Sequence, residues 1–283
     1  MQPFGSIREL VNVGADAIML YFKGESLDEA NDACQTWLRA IDAKRAITCP
    51  ISSEAATASV INNQGGATNA LAIKSTGNWS WLVECVASYD SMLLVFNVEA
   101  IDSHGVYLAL SQLANDIHFE QVESDEGKNK SALELGSPSE HSSKCKVIPV
   151  WYGAPNANDL REVSEKTSLS VDDIIALHTS VEYKVYAVGF APGFAYMGDV
   201  PEALQCARLS TPRKRVPKGA VALADRQTAV YPSESPGGWN LLGLTPLEMV
   251  LHGSDAGSSL LKAGDRVKFK AISEEEFKRF HEN

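Results

Sequence analysis

The chain has 283 residues, of which 45% are hydrophobic and 22% are charged, a balance typical of a globular protein with room for two domains. Its formal net charge of −11 argues against nucleic acid and anionic membrane surfaces as partners, because both are polyanions. Neither a membrane span nor a secretion signal is predicted. Five widely spaced cysteines without a C-x-x-C pair predict a reduced, cytoplasmic protein with no metal site.

Charge divides the chain into two halves. From Met1 to Ser143, 8 basic residues stand against 19 acidic ones, whereas from Lys144 to Asn283 there are 17 of each. Residues 123–144 are polar, rich in serine and nearly free of large apolar side chains, which predicts a linker. We therefore expect an acidic domain over residues 1–122 and a second domain over residues 145–283.

The first half is predicted to be a small α+β domain, because short apolar strands alternate with amphipathic helices. Ser26 and Glu29 have the spacing of a capping box, and apolar residues follow at helical intervals. The predicted elements are a strand over 16–22, a helix over 26–41, loops with short strands over 48–78, a strand over 91–96 and a helix over 103–117.

The second half has a different texture, with many short β-like segments separated by glycine and proline. This texture favours a barrel or a sandwich. The predicted elements are a strand over 147–151, helices over 159–166 and 170–177, short strands between 183 and 270, and a surface helix over 273–281.

Several common catalytic motifs are missing from the sequence. It contains no G-x-x-x-x-G-K-[ST] phosphate loop, no G-x-S-x-G nucleophile elbow, no H-E-x-x-H pair and no glycine-rich dinucleotide fingerprint after a strand. If the protein uses ATP, it does not hold the nucleotide by the commonest device.

Residues 189–198, with the sequence GFAPGFAYMG, form the first candidate binding segment. Gly189 and Gly193 permit positive φ, which lets backbone N–H groups converge on an anion beside the rings of Phe190 and Phe194. The alternative is a tight loop, plugged by its aromatic side chains, that closes one end of a barrel.

Residues 210–219, with the sequence STPRKRVPKG, form a basic segment. Two of its residues precede prolines, which favours extended backbone. An extended segment places Arg213 and Arg215 on one side, roughly 6.5–7 Å apart, and with the nearby Lys218 they suit a carboxylate or phosphate. The alternative is a solvated edge strand whose charges discourage aggregation.

Residues 227–232 and 239–243 are predicted to pair as a β-hairpin, joined by a turn over residues 233–238. The alternation places Gln227 and Tyr231 on one face, where they either hydrogen-bond a ligand or face water. The turn contributes three further candidate binding residues, Ser235, Gly237 and Gly238.

His178 lies on the apolar stripe of the helix that Ser170 is predicted to cap. A histidine in such a stripe is more often a core residue than a catalyst. It also lies near the C-terminus of the helix, where the dipole favours the protonated ring. The sequence leaves both roles open.

Six segments of the second half occur in the order 148–153, 176–179, 189–198, 211–219, 227–232 and 235–246. Together they resemble the KipI / allophanate hydrolase subunit 1 family, which includes the B-type subunit of 5-oxoprolinase. In the first half the match is weaker and depends on residues 14–22 and 91–96.

The resemblance implies a cyclophilin-like β-barrel over residues 145–283 and a small α+β domain before it. It also implies a subunit of an ATP-dependent lactam hydrolase, with ATP as co-substrate, that opens 5-oxoproline to glutamate. The partners would be a second barrel-type subunit and a separate lactam-utilisation subunit. In that chemistry Arg213 and Arg215 would hold phosphate and carboxylate. Gln227, Tyr231 and the loop amides would orient the lactam, and His178 would carry a proton.

Two other functions stay open at this point. The family also includes an inhibitor of a sporulation histidine kinase, which would make this chain a regulatory binding protein without chemistry. A urea-derived substrate such as allophanate is the third possibility, because it is also a small anionic amide.

Overall fold

The computed structural model describes residues 2–48, 79–128, 145–251 and 258–280. They divide into two compact units, Met1–Glu134 and Leu135–Asn283. The loops predicted over 48–78 lie outside the described residues, apart from Thr48. The predicted linker is corrected at its start, because residues 123–128 are helical, and its remainder lies outside the described residues.

The N-terminal unit is a four-stranded antiparallel sheet with two helices. The strand order is β1-β2-β4-β3, and every neighbouring pair is antiparallel. The elements are β1 (Ile7–Asn12), β2 (Ala17–Phe22), α1 (Leu27–Thr48), β3 (Leu82–Ser88), β4 (Ser91–Phe96) and α2 (Ser103–Lys128).

Alternation along the strands produces the core of this unit. In β4, Met92, Leu94 and Phe96 are buried while the residues between them are partly exposed, as expected for a sheet covered on one face. Trp37 of α1 and Leu110 of α2 join the same apolar cluster. The predicted strands and helices are confirmed, although both helices run further than predicted, and β1 and β3 were not predicted.

The C-terminal unit contains most of the strands and three α-helices among its described residues. Its elements are β5 (Lys146–Tyr152), α3 (Leu160–Thr167), α4 (Val171–Ser180), β6 (Tyr183–Val188), β7 (Ala195–Gly198), β8 (Arg213–Val216), β9 (Ala220–Ala224), β10 (Gln227–Val230), β11 (Ser235–Gly237), β12 (Asn240–Leu244), β13 (Arg266–Ala271) and α5 (Glu274–Arg279).

Among the described residues, seven strands close into a barrel in the order β10-β7-β6-β13-β5-β12-β9. Neighbouring strands are antiparallel except β5 and β13, which are parallel. Of the two predicted architectures, the barrel is the one observed, and it is consistent with a cyclophilin-like fold.

The predicted hairpin is wrong. Strand β10 pairs with β9 and β7, whereas β12 pairs with β9 and β5, so β9 lies between the two segments that were expected to pair. The intervening residues form β11, which pairs with β8 as a separate two-stranded ribbon. Alternation in the sequence located the strands. It carried no information on their order in the sheet, and so did not indicate that β9 lies between β10 and β12.

Strand β9 is buried on both faces. Val221 and Leu223 belong to the barrel core, while Ala220, Ala222 and Ala224 belong to a second apolar cluster outside the barrel. Val216 of the ribbon lies in this second cluster. The alanine face of β9 therefore supports the layer that includes the ribbon.

The helices of this unit begin where the sequence predicts. The Ser170 hydroxyl accepts the Asp173 N–H at 3.1 Å and caps α4, and Ser273 and Glu276 form a capping box at α5. Within the described part of the chain, no helix combines the length and apolar character needed to cross a membrane.

Candidate functional site

His178 lies inside the barrel core, with none of its surface exposed. Its ring stacks on Phe269 with centroids 4.4 Å apart. The Nε2 atom lies 2.9 Å from the Thr228 hydroxyl, and Nδ1 lies 2.6 Å from the Tyr152 hydroxyl. Both ring nitrogens are therefore hydrogen-bonded within the core.

The hydrogen bonds define the tautomer. Thr228 donates its only hydroxyl proton to the Ala222 carbonyl at 3.0 Å, so it accepts the proton on Nε2 of His178. Nδ1 then accepts the Tyr152 proton. Burial lowers the pKa of His178 from its ordinary value of 6.5 to about 3. These contacts favour a structural role, and the role of proton carrier stays a prediction.

Arg213 forms its hydrogen bonds with other groups of the protein. One guanidinium nitrogen donates to Asp159 and another to the Trp239 carbonyl at 3.2 Å. The second carboxylate oxygen of Asp159 accepts the Leu241 N–H at 2.6 Å, and its side chain is only 9% exposed. Arg213 therefore neutralises a largely buried carboxylate that ties α3 to β12.

Arg215 has a different partner and environment. Its side chain is 81% exposed and its Nε lies 3.2 Å from Glu234. Strands β8 and β11 shift register between the pairs Ser235–Val216 and Gly237–Arg213, so regular alternation is interrupted. The predicted alignment of Arg213 with Arg215 on one anion is therefore corrected, because each binds a different carboxylate.

Lys218 is exposed and pairs with Glu248 at 2.7 Å. Its neighbour Gly219 has φ +78°, and a Cβ there would lie 2.6 Å from the Thr245 carbonyl, so the turn requires glycine. The turn places Lys218 at the surface of the barrel, while its role as an anion ligand stays a prediction.

The loop between β6 and β7 uses part of its hydrogen bonding on itself. The Gly189 N–H donates to the Phe194 carbonyl, and the Phe194 N–H donates to the Ala191 carbonyl, both at 3.0 Å. Gly193 packs closely on the segment after β12, since an added Cβ would lie 2.8 Å from the Met249 carbonyl. Of the two interpretations of this segment, these contacts favour the tight loop that closes a barrel end. They do not favour the cradle of converging amides.

Phe190 is the exception in this loop. It adopts φ +72°, which is uncommon for a residue with a side chain, and it is 70% exposed. Phe194, in contrast, is buried, and the two rings meet edge to face with centroids 5.4 Å apart. Strained backbone combined with an exposed ring is a feature that often accompanies binding sites.

Among the predicted turn residues, Gly237 packs against Tyr231, which is 2% exposed. A Cβ on Gly237 would lie 2.2 Å from the Tyr231 hydroxyl, so only glycine fits there. Gly238 accepts the Leu209 N–H at 2.7 Å, and Ser235 pairs with β8. Gln227 begins β10 and is partly buried. The structure thus brings Gly237 close to Tyr231, while Ser235 and Gly238 contact β8 and the segment before it.

Burial raises the pKa of the Tyr231 phenol, while Arg208 and a hydrogen bond from the Trp239 backbone act in the opposite direction.

The Tyr231 ring belongs to an aromatic layer. We define it as Phe190, Phe194, Tyr196, Tyr231 and Trp239. The Phe194 ring contacts all four others, with centroid separations of 4.8 to 5.9 Å. The layer packs against the alanine face of β9.

Arg208 lies over one end of the aromatic layer. Its guanidinium carbon is 5.5 Å from the centroid of the Trp239 ring. The only sequence signal for Arg208 was its position two residues before the basic segment 210–219. Nothing in the sequence indicated its contact with Trp239, which is remote in the chain. A cation–π contact of this kind cannot be recognised without the fold.

Comparison with known proteins identifies the family. A family model described as carboxyltransferase domain, subdomain C and D, matches residues 45–259. A Bacillus subtilis (strain 168) protein, named as the B-type subunit of 5-oxoprolinase, is 36% identical over 200 residues, which are 71% of this chain and 80% of that protein. The chain belongs to the family of 5-oxoprolinase B-type subunits. The resemblance found in the sequence is thereby confirmed.

A second named relative and a solved structure are also similar to this chain. An Escherichia coli O157:H7 protein with the same name is 43% identical over 130 residues, which are 46% of this chain and 59% of that protein. The crystal structure of TTHA0988 is similar with a TM-score of 0.63 at 27% identity, over 92% of this chain and 41% of that chain. This chain therefore spans less than half of that solved protein.

Proposed function

We propose that this chain is a subunit of an ATP-dependent 5-oxoprolinase, which opens 5-oxoproline to glutamate. The observation that carries the proposal is the similarity to relatives named as B-type subunits of 5-oxoprolinase, over most of the length of the Bacillus subtilis protein. The designation of those relatives as one subunit supports a multi-subunit enzyme. We propose a second barrel-type subunit and a separate lactam-utilisation subunit as the partners.

The chemistry explains why ATP would be needed. A lactam resists water because its C–N bond is stabilised by resonance. Transfer of the γ-phosphoryl group to the carbonyl oxygen makes the ring carbon electrophilic. One water adds to that carbon and the C–N bond breaks, which leaves a free amine and an acyl phosphate. A second water hydrolyses the acyl phosphate and releases phosphate. One ATP, one 5-oxoproline and two waters give glutamate, ADP and phosphate. Each step requires cations around phosphate and carboxylate oxygens.

The surface of the barrel is where this chain would meet such anions. The barrel interior is filled by side chains, including His178 and Phe269, so the ligands would bind outside it. Arg215 and Lys218 lie exposed near the ribbon and are proposed to attract the anionic substrates. Phe190 is proposed to cover the lactam ring from the neighbouring loop.

The test is reconstitution from purified parts. The full chain, its candidate barrel partner and the candidate lactam-utilisation subunit are mixed, and ATP hydrolysis and glutamate formation are measured with and without 5-oxoproline. We expect both products only in the complete mixture with 5-oxoproline. Equal turnover after omission of this chain, or none in the complete mixture, would refute the proposal. A second set with allophanate separates the lactam from a urea-derived amide.

A further inference from the structure

Arg208 and the three cations of the basic segment that were predicted to bind an anion differ in the groups that they already contact. Arg213 serves a largely buried carboxylate, and Lys218 forms a close ion pair with Glu248. Arg215 is 81% exposed and also paired, so it would lose much side-chain entropy on holding a ligand. Arg208 differs from all three, because a ring rather than a close carboxylate is its main contact.

The backbone around Arg208 is fixed on both sides. The Asp225 N–H donates to the Cys206 carbonyl at 2.8 Å, and Asn240 donates to the Ala207 carbonyl at 3.0 Å. The Leu209 N–H donates to the Gly238 carbonyl at 2.7 Å. The residues immediately before and after the arginine are therefore anchored to β12 and its approach.

The side chain of Arg208 is oriented yet accessible. The Trp239 ring lies beneath the guanidinium, and the side chain remains 56% exposed. Its carboxylate neighbour, Asp225, lies at 3.6 Å, is 60% exposed and belongs to a turn with φ +53°. A loose, exposed ion pair of this kind contributes little free energy, so an incoming anion can replace it.

We propose that Arg208 is the residue that binds the anionic group of a substrate, with the Trp239 ring as the platform that orients its guanidinium. The ligand chemistry is an oxyanion that accepts two parallel N–H bonds, which a carboxylate and a phosphate both provide. Within the proposed 5-oxoprolinase, on which this assignment rests, the oxyanion is the carboxylate of 5-oxoproline or a phosphate of ATP. The exposed ring of Phe190 lies at the other end of the same layer.

Steady-state kinetics of the reconstituted complex test the assignment. Arg208→Ala is expected to raise KM by about ten- to a hundred-fold, the size of a lost charge-assisted hydrogen bond. A rise confined to 5-oxoproline identifies the carboxylate, and a rise confined to ATP identifies the phosphate. Arg208→Lys, which keeps the charge and loses the planar fork, is expected to recover only part of the affinity. An unchanged KM for both substrates would overturn the proposal.

Arg8 supplies the matched control. It also lies 5.5 Å from an aromatic centroid, that of Tyr21, and its side chain is 47% exposed and paired with Asp90. Arg8→Ala removes the same type of contact from the N-terminal unit and is expected to leave both KM values within about two-fold of the parent. An equal rise in KM for this variant would show that the effect is not specific to Arg208.

A direct titration separates this proposal from the function of the complex. The indole N–H signal of Trp239, assigned with Trp239→Phe, is followed by NMR in the full chain as 5-oxoproline or ATP is added. We expect one ligand to shift the signal in the parent chain and neither to shift it in Arg208→Ala. If the complex shows no turnover but this titration succeeds, the proposed reaction fails and the anion site stands. If neither ligand moves the signal and the KM values are unchanged, the site itself is rejected.

Discussion

The buried imidazole of His178 predicts that acid destabilises the C-terminal unit through one identifiable group. The folded ring has a pKa of about 3, whereas the unfolded ring titrates near 6.5. Between these values the unfolded state binds a proton that the folded state does not, so stability is fully present above pH 6.5 and falls as the pH falls towards 3. From about pH 7 to about pH 4.5 this linkage amounts to about 2–3 kcal/mol.

The assay is urea unfolding of the full chain at a series of pH values, comparing the parent with His178→Gln. Glutamine is polar but cannot titrate, so this variant is expected to lose about 2–3 kcal/mol less than the parent between the two pH values. Because glutamine does not reproduce the shape of the imidazole between Tyr152 and Thr228, the variant also starts from a lower stability, and only the pH dependence is compared. His104→Gln, at an exposed histidine, should match the parent. Equal acid sensitivity of the parent and His178→Gln would refute the reasoning.

Three further predictions concern the ribbon and its supports. Asp159→Ala should lower the free energy of unfolding by about 2–3 kcal/mol, because it leaves a part-buried guanidinium and a backbone N–H without their acceptor. The control is Glu165→Ala, at an exposed ion pair. It should change the free energy of unfolding by less than about 0.5 kcal/mol in the same urea titration. Gly237→Ala should lower the melting temperature through the clash with the buried phenol, while Gly238→Ala, whose Cβ would meet its nearest atom at 3.6 Å, should not. A similar fall for both would contradict the packing argument. Arg215→Ala should reduce turnover of the reconstituted complex and leave the melting temperature within about 2 °C, as expected for an exposed ion pair; unchanged turnover would remove this residue from the site.

Capping residues and apolar periodicity correctly predicted the elements whose boundaries and buried face are encoded within one short segment. The capping residue Ser170 and the apolar stripe of α4 define a helix within one segment, and the apolar strand β4 lies between clear boundaries. Strand β1 was not predicted, because Arg8, Glu9 and Asn12 leave it only two buried side chains. Its place in the sheet comes from pairing with β2 rather than from its own composition.

The candidate site was harder to predict because its contacts join distant parts of the chain. Asp159 and Arg213 are 54 residues apart, and no local pattern indicates that they meet. The expected alignment of Arg213 with Arg215 assumed regular alternation, which the register shift between β8 and β11 interrupts. Arg208 and Trp239 are 31 residues apart in the chain, and they meet only because β12, which follows Trp239, pairs with β9.

The alanine face of β9 has a consequence for how this family could change its ligand. Ala220, Ala222 and Ala224 lie in one apolar cluster with rings of the aromatic layer and with Val216 of the ribbon. A larger side chain at any of the three would have to displace the rings or the Val216 side chain packed in that cluster. Substitutions on this face of β9 can therefore change the dimensions of the binding surface, although they replace no charged residue and contact no substrate.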